Sequence, residues 1–142
     1  MSVQNVKNHT RYHAPFHFVS APLTLAGLIG SVVNLIRSTP DNYYSASLLV
    51  IVFILIFLIG SMVRTYALKA QDRAIRAEEN LRHFILTGKP FDTRLNIRQI
   101  IALRFASDDE LPALSKKAAE ESLRSKEIKE LIKNWKVDNY RI

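Results

Sequence analysis

Residues 45–63 decide the fold: they form the stretch SASLLVIVFILIFLIGSMV, which contains no charged residue. As a helix this stretch would be roughly 28 Å long, close to the ~30 Å hydrocarbon core of a bilayer. A buried helix of a soluble protein is the alternative, but it needs an apolar shell on every side. A chain of 142 residues with a second apolar run does not supply that shell. The stretch therefore predicts a membrane span, because a helix satisfies its own backbone hydrogen bonds in lipid.

The helix is expected to continue well past the span. Neither Gly nor Pro occurs from Arg64 to Thr87, and the first stop signal is Gly88-Lys89-Pro90. The sequence therefore predicts one helix over residues 45–87, about 65 Å long and half in lipid, half in water.

A second apolar stretch precedes the first, at residues 18–36 (FVSAPLTLAGLIGSVVNLI). A cleavable signal peptide is the alternative, but the run is long, lacks an A-x-A-like site and is soon followed by another span. Between the two stretches, residues 37–44 (RSTPDNYY) have the composition of a tight turn. The two spans are therefore predicted to form an antiparallel hairpin with both termini on one side.

Small residues predict how the two spans pack. The first span carries two interleaved small-xxx-small pairs, formed by Ala26, Gly27, Gly30 and Ser31. Such residues let a second helix approach closely, and in lipid that packing drives association. The expected partner is the second span, through Gly60 and Ser61.

The charge distribution predicts the orientation. The segment before the first span is net positive, the turn is neutral, and basic residues crowd the end of the second span. The positive-inside rule therefore places both termini in the cytoplasm. The predicted interfacial anchors are Tyr12, Tyr43, Tyr44 and Arg64, since amphipathic side chains settle near headgroups.

Beyond the membrane, the long helix carries an alternating three- and four-residue repeat typical of a coiled coil. Its members, here called the seam, are Ala67, Ala70, Ala74, Ala77, Leu81 and Phe84. The seam predicts an interface with a protein partner or a second copy of the chain. Two alternatives stay open: an ordinary alanine-rich surface helix, and a seam covered by the chain's own C-terminal part, through Trp135 or Phe105.

The remaining residues, 91–142, are predicted to form a small helical module. Asn96 with Gln99, and Ser107 with Glu110, have capping-box spacing, so each pair is expected to start a helix. Ser125 is expected to cap a third. The apolar stripe of that third helix is Ile128, Leu131, Ile132 and Trp135, at the spacing of one helical face.

No residue pattern in the chain indicates catalysis, a cofactor or a metal. The absence of Cys excludes disulfides, zinc–cysteine sites, iron–sulfur clusters and thiol nucleophiles. His9, His13 and His17 have the spacing of one helical face, but Pro15 opposes a helix there, which favours an interfacial cluster over a metal site. Asp108-Asp109-Glu110 is interpreted as a helix start, where carboxylates oppose the helix dipole.

The chain is basic, with 20 Lys and Arg against 13 Asp and Glu. Positive-inside bias explains much of this excess. An alternative function is binding of anionic phosphate ligands, lipid headgroups or nucleic acid, through the basic cytoplasmic half. The basic residues of that half are interleaved with Glu120, Glu121, Glu127 and Glu130, which favours a solvated helix surface and makes nucleic acid an unexpected partner.

Three segments carry a resemblance to a known family: QNVKNHTRYHAPFHF at residues 4–18, RQIIALRFASDDELPAL at 98–114 and EIKELIKNWKVDNYRI at 127–142. Together they resemble a family of small bacterial two-span membrane proteins catalogued only as a domain of unknown function. An aromatic residue is common in that family where this chain has Val6. The resemblance implies a topology only, and no activity, cofactor or catalytic residue. The expected location is the bacterial inner membrane.

The prediction is an all-α protein made of a two-span transmembrane hairpin, a long cytoplasmic extension of its second helix and a small helical module. Its expected segments are an N-terminal interfacial segment (1–17), the hairpin (18–66), the extension (67–87) and the module (91–142). The expected function is that of a non-enzymatic scaffold or accessory subunit, with membrane lipids and a protein partner or second copy as its contacts.

Overall fold

Helices account for most of the described chain, residues 13–137 of a computed structural model. The elements in chain order are a π-helical segment (Pro15–Ser20), α1 (Ala21–Arg37), a 3-10 turn (Pro40–Asn42), α2 (Tyr43–Thr87), α3 (Ile97–Leu103), α4 (Leu111–Glu120) and α5 (Ser125–Leu131). The described residues contain no strand, only an isolated antiparallel bridge between Ala106 and Trp135. They separate into two compact units, 13–68 and 69–137, each described by itself.

In unit 13–68, the first helix starts at Pro15 with a wide turn. Pro22 has no N–H to donate, and its ring crowds the carbonyl four residues back, so the α-helical pattern is interrupted there. Accordingly, the Ala21 N–H donates to Phe16 O, five residues back, which is the π-helical bond. The helix thus begins three residues before the predicted 18–36 stretch and ends at Arg37.

Large apolar side chains on both helices of this unit stay exposed. The helices Pro15–Arg37 and Pro40–Thr87 are each long and apolar enough to cross a membrane, judged by length and composition alone. In each, only 6% of the most apolar window is buried within the protein. The core helix of a soluble protein would be mostly buried, so this exposure does not fit that alternative.

The prediction of one uninterrupted long helix is confirmed. Helix α2 runs for 45 residues and ends before Gly88, which has φ +72°. A Gly at this position closes a helix because it enters the left-handed region at little cost. Its N–H donates to Phe84 O at 2.8 Å, and the Thr87 hydroxyl donates to His83 O at 2.8 Å.

In unit 69–137, the three short helices enclose an apolar core. The largest fully buried side chains are those of Leu103, Phe105, Leu111 and Ile128. The predicted capping box at the start of α3 is confirmed: Asn96 Oδ1 accepts from the Gln99 N–H at 3.1 Å, and Gln99 Oε1 accepts from the Asn96 N–H at 2.8 Å.

The predicted start of α4 at Ser107 is wrong, since the helix begins at Leu111 with Pro112 in its first turn. The carboxylate of Glu110 does not close a capping box with Ser107. Instead it accepts the backbone N–H groups of Lys133 and Asn134, each at 3.1 Å. Glu110 therefore makes a tertiary contact from its position at the N-cap of α4.

The predicted stripe on the third helix is also wrong in part. Helix α5 ends at Leu131, which is exposed, and Ile132 is already extended. Trp135 lies beyond the helix, where the bridge to Ala106 brings its ring to 5.0 Å from that of Phe105. Ser125 does not cap the helix, because its hydroxyl donates to Arg98 O at 2.9 Å.

Candidate functional site

One side of α2 in unit 69–137 is occupied by the module, which contacts it through a partly buried arginine. The guanidinium of Arg82 donates to Ala106 O at 2.8 Å and to Asp108 Oδ1 at 2.6 Å, and it pairs with Glu79 at 2.9 Å. The hydrogen bond from Arg82 is the main cause that holds the pKa of Asp108 below its ordinary value. Arg82 therefore joins the helix to the segment between α3 and α4. Sequence reasoning missed this role.

His83 and Asn80 complete the same contact. His83 is buried, with Nδ1 at 2.8 Å from Lys89 O and Nε2 at 3.1 Å from the Ser115 hydroxyl. Because a carbonyl oxygen only accepts, Nδ1 carries a proton in this arrangement. The Asn80 side chain accepts the Phe91 N–H at 2.9 Å. These residues define the module side of α2.

The seam lies partly on the other side of the helix and partly beside the module, since Ala77 lines a groove with Phe91. Leu81 lies two residues before His83, about 200° around an α-helix, whereas Phe84 follows Asn80 by four residues and lies about 40° from it. Leu81 is 60% exposed and Phe84 51% exposed. The four alanines Ala67, Ala70, Ala74 and Ala77 are exposed as well. Leu81 and Phe84 are therefore not buried against the module, and Trp135 and Phe105 pack against each other instead.

One further apolar residue widens this surface. Ile85 is 73% exposed and follows Phe84 directly. The sequence pattern missed it because it falls outside the three- and four-residue repeat of the seam. The apolar residues from Ala70 to Ile85 thus form an exposed face of α2, which the module borders at Ala77 and at Leu81.

Only one of the two predicted small-residue pairs on α1 faces α2. Ser31 is buried, and a Cβ at Gly27 would lie 2.0 Å from Phe53 Cε1. Ala26 and Gly30 are exposed, and a Cβ at Gly30 would meet nothing within 4 Å. The two pairs are about 100° apart around the helix, so both cannot face one neighbour. Gly60 also borders open space.

The predicted anchors lie at the two ends of the apolar run of α2. Tyr43 and Tyr44 are exposed at its start, directly after the 3-10 turn. At the other end, the guanidinium of Arg64 lies over the Phe16 ring, 4.9 Å from its centroid. Tyr12 is outside the described residues.

The remaining charged and histidine clusters form protein contacts. His17 Nδ1 lies 3.1 Å from His13 O, and His9 is outside the described residues. Within residues 13–137, no group of three or more His, Asp or Glu side chains is arranged to hold a metal ion. Basic side chains of the module pair with the interleaved acids, as in Arg124–Glu127 at 2.8 Å and the looser Lys116–Glu120 and Lys126–Glu130.

These features define an all-α protein in which one long helix carries a helical module on one side and an open apolar face on the other. The chain belongs to the DUF6526 family, a family of unknown function, and the match covers residues 1–142. The resemblance to a family of unknown function is thereby confirmed. Comparison with curated proteins and comparison with solved structures each found no significant match.

Proposed function

We propose that the chain is a two-span membrane protein that acts without catalysis, as a scaffold or accessory subunit holding a partner helix along the seam. In this proposal the hairpin lies in a bacterial inner membrane with both termini in the cytoplasm. The exposed apolar surface of both helices supports insertion, as do the tyrosines and Arg64 at opposite ends of the second apolar run.

The observation that carries the proposal is the exposure of Leu81 and Phe84, two large apolar side chains of α2. A soluble surface seldom keeps large apolar side chains clustered in this way unless they meet a partner. The alanines of the seam let a second helix approach closely, while Leu81 and Phe84 offer the area whose burial stabilises the contact.

The partner is a second copy of this chain or another helical membrane protein. Packing of apolar side chains predicts an assembly that tolerates salt. Phosphate binding through the basic half predicts an association that weakens steeply with ionic strength. The basic residues of the module pair with acids, which supports an assembly that tolerates salt.

The test compares Leu81→Asp/Phe84→Ser with the wild type after purification in mild detergent. Sizing measures self-assembly, and co-purification from native membranes captures a different partner. Leu131→Asp is the matched control, since Leu131 is an exposed leucine of the module outside the seam. We expect the double variant to lose the larger assembly in low and high salt alike, while the control keeps it.

Limited proteolysis of the same samples checks that the module is intact in the double variant. An assembly unchanged by the double variant contradicts the proposal. So does a wild-type protein that is monomeric and carries no partner. A module newly cleaved in the double variant would mean that the seam supports the fold of its own unit.

A further inference from the structure

An open groove of about 460 Å³ lies in unit 13–68, between the start of the first helix and the end of the apolar run of α2. Its volume is within the ~300–1,000 Å³ range of ligand sites. The groove exists because the hairpin packs unevenly. Gly27 contacts Phe53 closely, whereas a Cβ at Gly60 would meet nothing within 4 Å.

The walls of the groove suit a hydrocarbon chain. Phe57, Ile56 and Val63 contribute apolar side chains on the α2 side. The hydroxyls of Thr24 and Ser61, which also line it, donate to carbonyls of their own helices at 2.8 Å. Their donors are therefore already used, as is common for such residues inside helices.

The mouth of the groove carries a positive charge. Arg64 is the only charged residue among the described residues that line it, and no carboxylate in residues 13–137 pairs with it. The Phe16 ring, 4.9 Å from the guanidinium carbon, holds the cation at the rim. Phe16 is positioned by the π-helical segment, an irregularity frequently found at functional sites.

We propose that this groove binds an anionic phospholipid, with one acyl chain between the helices and the headgroup phosphate on Arg64. A guanidinium matches a phosphate because its planar N–H donors bind two oxygens at once. The charge of Arg64 favours a lipid over a helix of a second copy. A second copy would have to bring a carboxylate to pair with this half-buried cation. The inference rests on the proposed membrane insertion, and the groove shares one residue, Ala67, with the seam.

The test measures lipid retained by the full-length protein in an equimolar mixture of phosphatidylglycerol and phosphatidylcholine, by native mass spectrometry. We expect about a fivefold preference for phosphatidylglycerol, since one Arg near an anionic surface contributes about 1 kcal/mol. Arg64→Gln should bring the ratio close to one while lipid is still bound.

A second pair of variants separates the groove from the rest of the surface. Gly60→Leu should fill the groove and reduce retention of both lipids. Gly30→Leu is the matched control, because that position is open but does not line the groove. Equal retention of the two lipids by the wild type, or the same loss in both leucine variants, would overturn the proposal. So would quantitative disulfide dimers of Gly60→Cys, which would mean that a second copy fills the groove.

Resistance to carbonate extraction distinguishes the two proposals. A wild-type protein that carbonate removes from membranes refutes membrane insertion and the lipid site with it. A protein that resists carbonate yet shows no lipid preference refutes the lipid site alone.

Discussion

A single methyl group added at Gly27 should push apart the two helices of the hairpin. It would lie 2.0 Å from Cε1 and 2.4 Å from Cζ of Phe53, whereas ordinary van der Waals contact begins at 3.4 Å. The ring is half-buried and must move away or force the helices apart. Overpacking of this kind costs about 1–3 kcal/mol. Gly30→Ala adds the same methyl group where nothing lies within 4 Å, so no such cost is expected.

The free energy of hairpin opening can be followed by SDS titration, with energy transfer between dyes on Val19→Cys and Met62→Cys. Both positions are exposed, and the native chain has no cysteine to compete. Gly27→Ala should open at lower SDS than Gly30→Ala. In the Phe53→Ala background the two variants should become equal, because the obstructing ring is gone. If Gly27→Ala and Gly30→Ala behave alike with Phe53 present, the close packing does not exist in the membrane and the reasoning fails.

Two further predictions concern topology and the module. Asn42→Cys should be labelled from outside intact cells and Asn139→Cys protected, and the reverse pattern contradicts the orientation. Arg82→Met should lower module stability by about 1–3 kcal/mol, because a buried carbonyl loses its donor, while the exposed Arg76→Met should not. The pKa of Asp108 is lowered by Arg82, so its contribution is complete above about pH 4 and lost as pH falls through the lowered folded value. The thermal-midpoint difference between wild type and Arg82→Met, followed by circular dichroism, should therefore narrow in acid, and a constant difference refutes the pairing.

Local signals account for the parts of the fold that the sequence predicted well. The Gly88 stop and the Asn96–Gln99 capping box each act within about one helical turn, so no distant residue decides them. The length of α2 follows from the first of these signals together with the absence of Gly and Pro before it.

Tertiary contacts decided the parts that the sequence predicted poorly. Glu110 has the right spacing for a capping box with Ser107, yet its carboxylate holds backbone groups of Lys133 and Asn134, more than 20 residues away. Trp135 has the spacing of a helical stripe, but the backbone hydrogen bond from Lys136 to Phe105 O keeps its segment extended. No local sequence pattern indicates that distant residues will form these contacts in place of the helical ones.

Sequence reasoning identified which residues form the seam, but not whether the module would cover them. The repeat identified the residues of the seam, because helical spacing alone decides which side chains share a face. Whether the module would cover them depended on Arg82 and His83, whose partners Asp108 and Ser115 are 26 and 32 residues further on. In α1 the same limit applied, since sequence alone does not say which of two pairs 100° apart faces the neighbouring helix.

The kind of contact that holds the module to α2 explains why the seam is left open. Arg82, His83 and Asn80 attach the module through hydrogen bonds to Ala106, Ser115 and Phe91, and each bond requires a defined direction. Apolar contact alone is non-directional and would let the module slide around the helix towards Leu81 and Phe84. Directional contacts prevent that rotation, so a partner helix can reach the seam without displacing the module. Under the proposed function, the hydrogen bonds on the polar side of α2 keep the seam accessible to the partner helix. Without Arg82, we expect the module to pack on Leu81 and Phe84 and to compete with that partner.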